Sequence, residues 1–117
     1  MAGSAALLMA VNPSGGGGPS PLNGFITPNQ ITQNVSNGSW TSPQLTMNPS
    51  GGVPPYTYEW TATNGFTVNS STAQKTSVSK SGFNTIENST VTCKITDDNS
   101  DTFETSALVV VTFGNLL

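Results

Sequence analysis

Apolar and polar residues alternate with a period of two along parts of the chain, the pattern of a half-buried β-strand. The alternation is cleanest at residues 56–61, where two tyrosines and a tryptophan share one face, and at residues 91–96. Residues 107–113 form a continuous apolar run with three valines, which is typical of a strand covered on both faces. Weaker strands are predicted at residues 26–35, 40–47, 66–69 and 75–80.

Turn-forming residues separate these stretches. Asn-Gly pairs occur at residues 37–38 and 64–65, and clusters of Asn, Asp, Pro, Ser and Gly occur at residues 48–52 and 97–101. Neither a helical period nor an internal repeat is present in the sequence. About seven short strands with such turns predict an all-β fold, an antiparallel sandwich of two sheets, over residues 26–117.

The first 25 residues differ in composition and are predicted to form an extended N-terminal arm. Four glycines at residues 15–18, with prolines on both sides, cannot sustain a helix or a sheet ladder. Two interpretations stay open: an unattached tail, or an arm laid on a neighbouring subunit, for which 25 extended residues would reach about 80–90 Å. The residues predicted to contact that partner form one apolar run: Ala5, Ala6, Leu7, Leu8, Met9, Ala10 and Val11.

Three residues have the spacing of an immunoglobulin-type core. Trp60 follows Met47 by 13 residues and precedes Cys93 by 33. Immunoglobulin-type domains place a buried tryptophan on the third strand between core positions on the second and sixth strands. The spacing therefore predicts that Trp60 lies between two sheets and packs on Met47 and Cys93, with no disulfide because Cys93 is the single cysteine.

The local sequence carries a family resemblance. Residues 51–60, Gly-Gly-Val-Pro-Pro-Tyr-Thr-Tyr-Glu-Trp, resemble the passage between the second and third strands of PKD-like and related bacterial Ig-like domains. Residues 91–98, followed by the apolar run at 107–111, are similar to the closing hairpin of those domains. The resemblance covers about residues 26–113 and implies an Ig-like sandwich. The predicted core residues are Met47, Tyr58, Trp60, Val91, Cys93 and Ile95.

Charge and composition exclude several classes of function. Only 8% of the residues are charged, against about 25% in an ordinary domain. The chain has no Arg and no His, and its net charge is −3, so it lacks the basic surface that binds nucleic acid. No stretch is long and apolar enough to cross a bilayer. Residues 5–11 lack the basic start and cleavage site of a signal peptide, so synthesis in a cytoplasm without secretion is expected.

Each residue that could bind a metal or act in catalysis is explained more simply by a structural role. The acidic segment at residues 97–101 offers oxygens at three positions of a calcium loop, but it lacks the required glycine and the last glutamate, so a hairpin turn is favoured. Cys93 alternates with core residues, and nothing aligns Glu59 with Glu87 as a catalytic carboxylate pair. We therefore expect no enzyme activity, no metal and no cofactor. Glu59 and Lys94 are predicted to face solvent on neighbouring strands.

The resemblance implies a structural role. Ig-like domains of bacterial viruses occur as accessory modules on capsids, tails and fibres, and a Gly-rich arm with a nearly uncharged surface is similar to that class. The favoured hypothesis is a virion decoration protein whose partners are other virion proteins, with self-association also open. The alternative is a glycan- or cell-surface-binding adhesion module, for which Trp40, beside a predicted turn, is the freest aromatic residue.

Overall fold

The structure, a computed structural model, describes residues 20–114. Within this range the chain forms ten β-strands and no helix, which confirms the all-β prediction. The strands are β1 (Asn23–Thr27), β2 (Gln30–Val35), β3 (Gly38–Thr41), β4 (Leu45–Ser50), β5 (Thr57–Ala62), β6 (Thr67–Val68), β7 (Lys75–Thr76), β8 (Val78–Gly82), β9 (Thr85–Thr96) and β10 (Thr102–Phe113).

One layer is a four-stranded sheet in the order β2-β10-β9-β5. Its centre is the long hairpin of β9 and β10, which are antiparallel from the Thr85–Phe113 pair to the Thr96–Thr102 pair. β5 adds to β9 in antiparallel orientation, and β2 adds to β10 in parallel orientation. The sheet is therefore mixed, and its outermost strands are β2 and β5.

The other layer consists of two three-stranded pieces, β1-β4-β7 and β3-β8-β6. They are joined by Ser42 and Val78: the Ser42 amide donates to the Val78 carbonyl at 2.8 Å, and the Val78 amide donates to Ser42 Oγ at 3.0 Å. Pro43 has no amide hydrogen and interrupts the ladder at this point. Between the Thr41–Ser79 and Leu45–Thr76 pairs one strand has three residues and the other has two, which is the count of a β-bulge.

The core lies between the two layers and contains residues from both. Trp60 is 2% exposed and pairs directly with Cys93 on the neighbouring strand. Trp60 Nε1 donates to the Ala73 carbonyl at 2.7 Å, so the one polar atom of the indole has a partner. Two apolar layers with a common buried cluster are consistent with the predicted sandwich. The buried hydrophobic residues are Ile26, Ile31, Trp40, Leu45, Met47, Trp60, Phe66, Val78, Val91, Cys93, Ile95, Ala107, Val109, Val111 and Phe113.

Three predicted strands are each divided in the structure. The predicted strand at 26–35 becomes β1 and β2, which lie in different layers on either side of Pro28. The predicted strand at 40–47 becomes β3 and β4, divided at Pro43. The predicted strand at 75–80 becomes β7 and β8, one in each three-stranded piece. These three divisions are why ten strands are present where about seven were predicted. β1 also begins at Asn23, because its residues pair with β4, so the predicted arm boundary at residue 25 falls inside a strand.

Candidate functional site

The point where the described chain enters the sandwich is held by backbone contacts. The Gly52 amide donates to the Ser20 carbonyl at 2.7 Å, and Leu22 packs against the core. Gly51 and Gly52 have φ values of 65° and 60°, and a Cβ atom at Gly51 would collide with the Pro21 carbonyl. Glycine is therefore needed here for both the positive φ and the close approach of residues 20–22.

The β9–β10 turn lies against the same glycines. Asp97 is 5% exposed, and its carboxylate accepts hydrogen bonds from the amides of Val53 (3.0 Å), Asn99 (2.9 Å) and Asp101 (2.9 Å). Burial by itself would raise the pKa of the Asp97 carboxyl, but the hydrogen bonds from these three amides and from its own backbone together outweigh burial and lower the pKa. The acidic segment thus closes its own turn and fixes it to Val53. We call this end of the sandwich, with residues 20–22, the arm root.

The residues predicted to contact a partner precede the arm root. Ala5, Ala6, Leu7, Leu8, Met9, Ala10 and Val11 lie outside the described residues, and their contact with another chain remains a prediction. The first described residue, Ser20, lies at the Asp97 end of the molecule, adjacent to Gly52.

The six predicted core residues occupy the interior to different degrees. Met47, Trp60, Val91, Cys93 and Ile95 are buried, whereas Tyr58 is half-buried and packs against the cluster from its margin. Burial raises the pKa of the Cys93 thiol to about 11, and a backbone hydrogen bond at Glu59 lowers it less than burial raises it. A protonated thiol inside the core is a packing group, because the thiolate is the nucleophile.

The other candidate side chains, Trp40, Glu59 and Glu87, do not come together in one site. Trp40 is 8% exposed and its Nε1 donates to Gln33 Oε1 at 2.8 Å, so it is a core residue and the expectation that it is the freest aromatic residue is wrong. The reason is that β3 turns this ring inward, opposite Lys80. Glu59 is exposed beside Lys94, while Glu87 lies far along β9 and accepts a hydrogen bond from Asn64 at 3.0 Å.

The outward face of the four-stranded sheet has a charged half. Lys94 of β9 lies directly opposite Glu59 on β5 and Glu104 on β10. The next outward row contains Thr92 and Ser106, whose hydroxyls are 2.8 Å apart. This half of the face, nearest to the Asp97 turn, is polar throughout these two rows.

The other half of the same face contains exposed aliphatic side chains among polar ones. Ile86 is 56% exposed, Leu108 is 44% exposed, and Val110 is half-buried between them. Val110 lies two residues from Leu108 and diagonally from Ile86, which pairs with Thr112, so the three side chains adjoin. We call Ile86, Leu108 and Val110 the outer-face patch. Phe83, 74% exposed, lies in the turn just before β9, at the far end of the patch.

The apolar run at residues 107–113 is the sequence feature that corresponds to this patch. The continuous run at residues 107–113 predicted a strand covered on both faces. Within residues 20–114 only the inward face of β10 is covered, and Leu108 remains exposed. That expectation is therefore wrong for Leu108 within residues 20–114.

Comparisons with known proteins add no family to this description. No protein-family model matches the chain, and no curated protein matches it. Nowhere in residues 20–114 is there a helix long and apolar enough to cross a membrane.

Proposed function

We propose that the chain is a non-enzymatic structural module, an accessory protein that decorates the capsid or tail of a bacteriophage and is anchored to neighbouring subunits by its N-terminal arm. The observation that carries the proposal is the arm root. Gly52 donates to the Ser20 carbonyl, Pro21 packs closely on Gly51, and Gly52 lies against the buried Asp97. A pulling force on the arm would therefore act on the folded sandwich, because residues 20–22 are attached to it.

An Ig-like topology is part of the proposal. In Ig-type sandwiches one sheet has the strand order A-B-E-D and the other contains C, F and G. If β3 with β4 is strand B and β7 with β8 is strand E, the layer joined through Ser42 and Val78 has that first order. β5, β9 and β10 then correspond to C, F and G, and the chain crosses between layers at Pro28 so that β1 and β2 share the role of strand A.

The chemistry of the described side chains favours a structural role. The Cys93 thiol is enclosed in the core with a raised pKa, and the Asp97 carboxylate is occupied by backbone amides. Glu59 and Glu87 do not approach each other along the sheet. The adhesion alternative has lost its best stacking residue, because Trp40 is buried.

Immunogold labelling of particles tests this function. An antibody raised against the folded chain is applied to particles purified from the culture that produces the protein. The proposal expects label at a regular position on the particle, and particles that carry no label would refute it.

A matched pair of arm variants then tests the anchor. Leu8→Asp introduces a charge into the apolar run, and Ser4→Asp introduces the same charge just before it. We expect the Leu8 variant alone to be lost from purified particles. Equal incorporation of both variants would refute anchoring through residues 5–11.

A further inference from the structure

We propose that the outer-face patch of one chain is the docking site for residues 5–11 of a second copy, so that copies associate head to tail. This inference rests on the proposed function, because it uses the same arm and names its partner. The patch is the one place on the outward face of the four-stranded sheet, within residues 20–114, where adjoining aliphatic side chains meet solvent.

Within residues 20–114, one side of β10 is left uncovered. Its run at residues 107–113 is apolar at six of seven positions, and Val109, Val111 and Phe113 are fully buried inward. The outward positions Leu108 and Val110 have the composition of a second buried face. Polar side chains would suit solvent-facing positions equally well, as Thr92 and Ser106 do on the same face of the sheet. The outward aliphatic residues are therefore explained by a cover that the single chain does not supply within residues 20–114.

The area of the patch favours a short apolar segment as its occupant. The patch with Phe83 exposes apolar area on the order of 300 Å². A stable dimer buries about 800 Å² on each partner, so a face-to-face pairing of two patches is too small. A short apolar segment is the occupant that fits this area. The run Ala5–Val11 has two leucines, a methionine and a valine, and it carries no charge.

The length of chain between Val11 and Ser20 favours docking on a second copy over docking on the same copy. Ser20 is bound to Gly52 beside Asp97, whereas Leu108 lies level with Thr90, seven residues further along β9 and about 23 Å away. Nine residue steps separate Val11 from Ser20. They span at most about 30 Å when fully extended, and a Gly-rich chain of this length spans about 15–18 Å on average.

Docking on the same chain would therefore use about three quarters of the maximum span, and the connection would also have to round the edge of the sheet. Docking on a second copy has no such requirement. Because the arm root and the patch lie toward opposite ends of β9, head-to-tail docking places the arm of each copy on the far half of the next. Such contacts close into rings or continue as filaments. The outermost strand β2 borders the patch, because Thr32 pairs with Val110, and it offers an edge for backbone pairing.

Sedimentation of the full chain and four variants tests the inference. Leu8→Asp removes the arm contact and Leu108→Asp removes the patch. Ser4→Asp and Ser106→Asp add the same charge beside each site, and Ser106 shares the strand and the outward face of Leu108. Leu108 is partly exposed and points outward, so its variant is expected to fold, and the urea midpoint of every variant is measured as a check.

The full chain and both control variants are expected to form species larger than one chain as concentration rises. Each of the other two variants is expected to associate at least tenfold more weakly, because one buried leucine is lost. An equimolar mixture of Leu8→Asp and Leu108→Asp chains keeps one intact arm and one intact patch, so it should form a species of two copies and none larger.

Two results would overturn the inference: a full chain that stays monomeric at every concentration, or a Leu108 variant that associates as strongly as the Ser106 control. Neither affects the proposed function, because label on particles does not depend on self-association. Conversely, particles without label beside intact head-to-tail association would refute the proposed function and leave this contact standing.

Discussion

Replacing Trp60 with alanine is the sharpest test of the core. The side chain is 2% exposed, it pairs with Cys93, and its Nε1 donates to the Ala73 carbonyl at 2.7 Å. Truncating a buried tryptophan costs about 3–5 kcal/mol. Small domains have a free energy of unfolding of about 5–15 kcal/mol in total, so the variant should lose a large share of its stability.

Urea titration measures this loss, and the intrinsic fluorescence of the other tryptophan, Trp40, follows unfolding in the variant. Trp60→Phe keeps an aromatic ring but removes the N–H donor, so it should cost less than the alanine variant. Phe83→Ala is the surface control and should change the free energy of unfolding by less than about 0.5 kcal/mol, since Phe83 is 74% exposed. A loss below about 1 kcal/mol for Trp60→Ala would refute the placement of this ring in the core.

Three further predictions concern titratable groups. Cys93, whose pKa burial raises to about 11, should resist a thiol reagent in native buffer and react fully in denaturant; fast reaction of the native protein would contradict its enclosure. The lowered pKa of Asp97 stabilises the fold above the pKa of the unfolded chain, and this contribution is lost as the pH falls through the folded pKa. The stability gap between the native chain and Asp97→Asn should therefore narrow in acid, and a gap that is constant with pH would count against the hydrogen-bonded carboxylate. Glu59 and Lys94, which are register partners, should show a coupling of about 0.2–1 kcal/mol in a double-mutant cycle that weakens with salt, and zero coupling would count against the pair.

Strict alternation was a reliable guide where one strand stays in one sheet. At residues 91–96 it put Val91, Cys93 and Ile95 on one face, and all three are buried in the structure. The spacing from Trp60 to Cys93 likewise corresponds to a direct cross-strand pair. These inferences need only the two-residue period of the backbone, which every residue of a regular strand obeys.

The divided strands show where local alternation fails. Ile26 and Ile31 are both buried, yet they are five residues apart, and an odd separation places two residues on opposite faces of one strand. Trp40 and Leu45 have the same odd separation. In each case a proline, Pro28 or Pro43, lies between the two. Odd spacing of buried residues around a proline was therefore a usable signal for a break, but the sheet that receives each half depends on long-range pairing.

The run at residues 107–113 presents a different kind of mismatch between sequence and structure. Its pattern predicts two covered faces, while residues 20–114 cover one and leave Leu108 44% exposed. Hydrophobic patterning responds to the burial that a chain experiences when it functions, whether the cover comes from its own fold or from another molecule. Residues 5–11 form another apolar run in the sequence, and the first described residue, Ser20, lies toward the opposite end of the sandwich from Leu108. Under the proposed head-to-tail association, a single contact per copy would bury both the outer-face patch and residues 5–11.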